Sequence, residues 1–176
     1  VDAADHLEFY WHPHTDVALT KTQTRLPEST TRHPRPAVGR WLDEQVLSNG
    51  VFGAFCAVSR VVPAVIPPFN RTAVRLTGDA AYADRSHRVL IHSRRVRFLE
   101  MEYALPAENA VPAFRAIRQL ITDRGWRIEF PVEVRFAGAD DLWLSTASGR
   151  ETAYIAVHRY WRIDPAEYLD AVYAIM

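Results

Sequence analysis

A lone cysteine, Cys56, leaves this 176-residue chain without an internal disulfide, so its stability has to come from a packed core. That scarcity fits a reducing compartment. The neighbours Phe52, Phe55 and Val58 mark Cys56 as a buried small hydrophobe rather than a reactive thiol. An excess of one charge is missing too: Lys plus Arg number 21 and Asp plus Glu number 21. No global field therefore draws in nucleic acid or an acidic membrane surface. Long apolar runs are absent, the longest candidate, Val51 to Phe69, being broken by Arg60 and three prolines. That falls short of the roughly 20 residues needed to span a bilayer. There is no Gly-rich phosphate loop, Walker motif or nucleophile elbow. His12 and His14 resemble half a metal site, but no Cys/His/Asp cluster at ligand spacing completes it, and no metal is expected.

What the chain does have is apolar and aromatic residues, 48% and 11%, enough for one domain of generous size with a substantial core. Its most informative stretch runs from Glu129 to Trp161. Phe130, Val132, Val134 and Phe136 alternate with Glu129, Glu133 and Arg135. Successive strand side chains point to opposite faces, so this strand has one apolar and one charged face. Glu133 and Arg135 share the charged face with their roots roughly 7 Å apart. In the last strand segment, Thr152, Tyr154, Ala156, His158 and Tyr160 share a face. Pairing of the two strands would gather Glu133, Arg135, His158 and Tyr160 on one sheet surface.

The remainder reads as follows. His6–Trp11 and Val17–Arg25 are strand-like and joined through a turn at His12–Asp16. Pro27–Pro36 is a polar surface loop. Val38 to about Val62 is helical, with a break at Asn49-Gly50, and Pro63–Asn70 is expected to be loop because Pro67-Pro68 cannot occupy a helix interior. Val89–Ser93 suits a strand. Arg97–Leu105 is a strand with Glu100 and Glu102 on the same face as Phe98. A helix follows from Pro106 to about Arg124, stopped by Gly125, and Asp164-Pro165 opens the last helix. The order β-α-β-β-α after residue 97 predicts an α+β fold: a mainly antiparallel sheet with helices packed on one face. The start at Val1 without Met, and the end within the apolar pattern Ala171–Met176, lead us to expect a piece excised from a longer protein.

Two readings of the charged face stand open. One is a solvated i,i+2 ion pair worth less than about 1 kcal/mol. The other is a ligand-covered face on which Glu133 takes a proton and Arg135 offsets developing negative charge. Glu102, if opposite Arg135, would form a structural pair or join the ligand site. Arg94, Arg95 and Arg97 suit a solvated strand end better than a phosphate site.

Several stretches carry a resemblance. They are Glu8-Phe9-Tyr10-Trp11-His12-Pro13-His14-Thr15-Asp16 followed by Lys21-Thr22-Gln23-Thr24-Arg25, Phe98-Leu99-Glu100-Met101-Glu102-Tyr103-Ala104-Leu105-Pro106, Phe130–Phe136, Asp140-Asp141-Leu142-Trp143-Leu144-Ser145, Gly149-Arg150 and Tyr154–His158. In number, order and spacing they resemble the C-terminal domain of the sugar-1,4-lactone oxidases. These are the D-arabinono- and L-gulono-1,4-lactone oxidases and dehydrogenases of the vanillyl-alcohol-oxidase flavoprotein superfamily, enzymes of ascorbate-type biosynthesis. The resemblance implies that residues 1–176 are a single cap, or substrate-binding, domain. It would lie over an FAD held mainly by a separate N-terminal domain of the same protein. It implies catalytic roles for Glu133 and Arg135, with Arg135 also facing the flavin, and substrate contacts from His158, Tyr160 and Glu102. The reaction implied is oxidation of an aldono-lactone, or a related polyol, at C2 by hydride transfer to flavin, the isolated chain being inactive. A cytoplasmic location, or peripheral membrane association, goes with it. The alternatives are a non-catalytic sugar- or protein-binding module on the exposed sheet face, or an oligomerisation domain.

Overall fold

The computed structural model describes residues 5–176, so the expectation drawn from Val1 lies outside the described residues. Five strands form one sheet: β1 (His6–Trp11), β2 (Ala18–Gln23), β3 (Phe98–Pro106), β4 (Val132–Ala137) and β5 (Thr152–Tyr160). Their order is β2-β1-β4-β5-β3, and every neighbouring pair is antiparallel. The period-2 alternation sets the register. Phe9 opposes Val134, Trp11 opposes Val132, and Val134 opposes Ile155. These side chains make one apolar face. Helices α5 (Ala110–Asp123) and α6 (Ala166–Tyr173) press Ile117, Ile121, Tyr168 and Val172 onto it. Each Ile or Val so buried contributes roughly 1.5–3 kcal/mol. Phe114 stands edge-on to both Phe9 and Trp11, 5.5 Å between centroids in each case. The fold is α+β, as the element order implies.

Sequence punctuation ends the helices. Gly125, at φ 62°, closes α5: its N–H bonds the Thr122 carbonyl at 3.0 Å, and the Trp126 N–H bonds that of Ile121 at 3.1 Å. That is the Schellman pattern, which needs a left-handed residue at its centre. Gly125→Ala should therefore lower stability by about 1 kcal/mol, read as a lower urea midpoint at unchanged slope. An unchanged midpoint would contradict it. At α6, Asp164 Oδ1 accepts the Ala166 N–H at 3.0 Å, filling one orphan donor of the first turn.

The stretch between β2 and β3 departs most from the sequence reading. Residues 37–61 form one continuous helical run: α1 (Ala37–Trp41), a π-helical stretch Leu42–Val51, and α2 (Phe52–Val61). Asn49-Gly50 does not break it. The wider π turn absorbs the pair, and the Asn49 amide donates to the carbonyls of Glu44 and Ser93. Pro67 and Pro68 lie inside α3 (Ile66–Leu76) rather than in a loop. They occupy its first turn, where an N–H would have no helical partner anyway. Val89–Ser93 is not a strand, because α4 (Ser86–Leu90) takes its first residues.

Helices α2 and α3 build a second core from Phe55, Cys56, Ile66, Phe130 and Tyr160, with Phe98 packed against it. Phe98 and Tyr160 belong to the face opposite α5 and α6, so helices also cover one end of that second face. The Cys56 thiol is buried and its pKa pushed up, first by burial and then by Glu129. Among the described residues no helix is long and apolar enough to cross a membrane.

Candidate functional site

The register that buries Val132 and Val134 turns Glu133 and Arg135 to the other face. Arg135 stands in a cross-strand row of Lys21, Glu8, Arg135 and Tyr154, contributed by β2, β1, β4 and β5. Glu133 stands in the next row, between Tyr10 and Ala156, with Glu102 beyond Ala156 on β3. Ala156 is the step that matters. Its methyl group leaves the Arg135 guanidinium free to reach over β5 to Glu102, which accepts a hydrogen bond from Nη2.

Arg135 is held between carboxylates. Its Nε lies 3.4 Å from Glu133 Oε1 but is buried without an aligned hydrogen-bond partner. Burial works against its charge; Glu133, Glu102 and Glu8 outweigh that and raise its pKa. Glu133 is only 7% exposed. The Tyr10 hydroxyl is pushed far above its ordinary range, by burial first and then by Glu133 and Glu8, so it remains a neutral donor. An open cavity of about 360 Å³ lies on this face, and Arg135, Glu102, Glu8, Lys21, Gln23 and Tyr154 are in its wall.

The structure brings Glu133, Arg135 and Glu102 together, with Arg135 and Glu102 in the cavity wall and the nearly buried Glu133 against Arg135 but outside that wall. His158 and Tyr160 stand apart from the cavity. His158 is buried, with Nε2 3.1 Å from Glu100 Oε1 and Nδ1 3.3 Å from the Pro131 carbonyl. Phe98 and Phe130 pack on its ring. Tyr160 shares the face by alternation, but its side chain is buried in the α2–α3 core.

Two groups of residues escaped the sequence reading. Glu8 and Lys21, 2.7 Å apart, join the site because β1 pairs with β4 and β2 with β1. Alternation assigns a face to each residue but does not name the neighbouring strand. The Thr20/Thr22/Thr24 pattern does imply a second set, Lys21 and Gln23, on the other side of β2. The second group is Glu129 and Arg159. Glu129 is fully buried, its Oε2 2.8 Å from Arg159 Nη1 and its Oε1 accepting the Tyr160 N–H at 2.6 Å.

The turn between β1 and β2 is also built rather than loose. Thr15 Oγ1 bonds the carbonyls of His12 and Val17, and the Asn70 amide of α3 reaches the Pro13 carbonyl at 3.0 Å. Burial lowers the His12 pKa to about 4. The folded state therefore holds fewer protons on His12 than the unfolded chain between the ordinary value of 6.5 and about 4. Its stabilising share is complete above pH 6.5 and is lost as the pH falls through that window. Melting temperatures of His12→Gln should fall less steeply with acid than those of the unmodified protein. Parallel curves would exclude His12 as the titrating group. Among the described residues no cluster of three His, Cys, Asp or Glu side chains converges on a common point.

The whole chain, residues 1–176, matches the family model for D-arabinono-1,4-lactone oxidase. The chain belongs to that family. It is 41% identical over all its 176 residues to an L-gulono-1,4-lactone dehydrogenase of Mycobacterium tuberculosis, covering 40% of that protein. It is 28% identical over 164 residues to an L-gulonolactone oxidase of Scyliorhinus torazame, with 89% of this chain and 35% of that protein aligned. The chain thus spans about 40% of the length of the curated relative it matches at 41% identity. Membership of the D-arabinono-1,4-lactone oxidase family gives the carboxylate–guanidinium face a chemical context, since the relatives' names all specify a lactone.

Proposed function

We propose that residues 1–176 are the substrate-binding cap of an FAD-dependent oxidoreductase that oxidises an aldono-1,4-lactone at C2. The observation that carries this reading is the Glu133–Arg135–Glu102 group beside an open polar cavity, in a chain of the lactone oxidase family. The residues fit a flavin ring and a lactone above them. Arg135 lines the cavity with its side chain 43% exposed, so guanidinium N–H groups not taken by Glu102 and Glu133 can meet a carbonyl or hydroxyl oxygen there. They do not fit the cofactor's pyrophosphate, for which the sequence has no glycine-rich cradle, so another part of the protein holds that end. FAD, when bound, supplies the two-electron acceptor.

The chain's own residues then have distinct tasks. Glu133 orients the C2 hydroxyl or accepts its proton, at a carboxylate already facing Arg135. Arg135 offsets negative charge developing on the substrate oxygen, and its planar fork suits that better than an ammonium. Glu102 fixes the direction of that fork from β3. His158, wedged between Glu100 and the Pro131 carbonyl, holds the end of β5 against the segment leading into β4.

The test uses the full-length protein. Flavin should co-purify with it, and an aldono-1,4-lactone should bleach the flavin absorbance without air. A full-length protein that carries no flavin, or whose flavin ignores lactones, would leave the sheet face as a sugar- or protein-binding module.

A further inference from the structure

The cavity extends well beyond Arg135. Its far wall is made by β1 and β2, where Glu8, Lys21 and Gln23 line it, and none of the roles above uses them. Gln23 stands two residues from Lys21 on the same face of β2, and both line the cavity. Lys21 Nζ is 2.7 Å from Glu8 Oε1, which leaves two ammonium protons and a second carboxylate oxygen for other partners. This wall therefore offers two donors and an acceptor side by side. A hydroxyl both donates and accepts, so a pair of adjacent hydroxyls complements such a set. Lys21, Glu8 and Arg135 lie in one cross-strand row, which puts Lys21 two strand spacings, roughly 10 Å, from Arg135. That leaves room for a lactone ring at Arg135 with its exocyclic carbons directed toward β2.

We propose that Glu8, Lys21 and Gln23 form a subsite for the exocyclic hydroxyls of the lactone and favour six-carbon over five-carbon substrates. The proposal rests on the lactone reading above. A six-carbon aldono-1,4-lactone carries a two-carbon diol outside its ring, whereas a five-carbon one carries a single hydroxymethyl group. Only the diol can engage both the Gln23 amide and the Lys21–Glu8 pair.

The experiment is steady-state kinetics of the full-length protein on two lactones of matched ring configuration, one six-carbon and one five-carbon. Gln23→Leu and Lys21→Met should each raise KM for the six-carbon lactone about tenfold more than for the five-carbon one, the scale of one lost directed hydrogen bond. The loss should fall in KM, because these contacts form equally in ground and transition states. Gln23→Glu, close in shape but without the donor, keeps the test decisive if Gln23→Leu fails to fold. Equal changes for both lactones, or a loss confined to kcat, would overturn the subsite while leaving the lactone reading intact. If the unmodified protein oxidises neither lactone, the subsite falls together with that reading.

Discussion

Arg135→Ala in the full-length protein is expected to lower kcat/KM for its lactone by two orders of magnitude or more, about 2.7 kcal/mol, the scale of removing one preorganised charge stabiliser. Preorganisation is visible in the contacts. Glu102 takes one arm of the guanidinium, Glu133 faces its Nε, and the small Ala156 lets it lie across β5. The surrounding carboxylates raise its pKa despite partial burial, so the charge persists across any working pH. Arg135→Lys should recover only part of the activity, since a point charge cannot hold Glu102 and a substrate oxygen in one plane. Glu133→Gln keeps shape and hydrogen bonding while removing basicity; a large loss assigns proton transfer, and a small one assigns orientation. Removing Arg135 also strips the nearly buried Glu133 of its counter-charge, so a stability loss of about 1 kcal/mol should accompany the kinetic effect. A fully active but clearly destabilised Arg135→Ala would instead make the face a structural ion-pair network.

Glu129→Ala is expected to be the most damaging single change to stability. Its carboxylate is 0% exposed and holds Arg159 Nη1 on one oxygen and the Tyr160 N–H on the other. Arg159 Nη1 also donates to the Arg127 carbonyl at 2.8 Å. Removing one partner of a buried pair costs about 3–5 kcal/mol, because the remaining charge stays desolvated and unmatched. For a domain of this size that is a melting-point drop of roughly 6–20 °C. Replacing both residues with leucine should recover much of the loss, since neither charge is then stranded. A drop under roughly 2 °C for Glu129→Ala alone would show that water or another group compensates the guanidinium.

The sequence made the charged half of the sheet legible because alternation is a short-range property. It put Glu133 and Arg135 on one face, His158 and Tyr160 on one face, and Glu100 and Glu102 beside Phe98, and all of these placements hold. Alternation says nothing about what covers a face. Tyr160 and His158 look equivalent in the pattern, yet helices α2 and α3 bury Tyr160 and leave His158 between two phenylalanines. Glu129 precedes the strand and reads as one more solvated carboxylate, because its partner Arg159 is thirty residues away. The segment from 37 to 97 was the least legible. Pro67-Pro68 reads as a loop until the helix start at Ile66 is known, which puts both in a first turn that tolerates proline, and the Asn49-Gly50 pair reads as a break that the wider π turn absorbs.

The strand order has a consequence for how such a protein can change. β1 meets β2 after a short turn but meets β4 only across more than a hundred residues, Leu7 opposite Phe136. The excursion between β2 and β3 joins the two outer edges of the sheet, and it carries α1 to α4. Closing a flexible loop costs only about 0.6 kcal/mol more for each doubling of its length. Insertions and deletions in that excursion are therefore cheap, while a one-residue slip in β4 would turn Arg135 and Glu133 into the apolar core. Lineages carrying this fold can remodel the wall that Leu90 lends to the cavity while the charged row beneath it stays fixed.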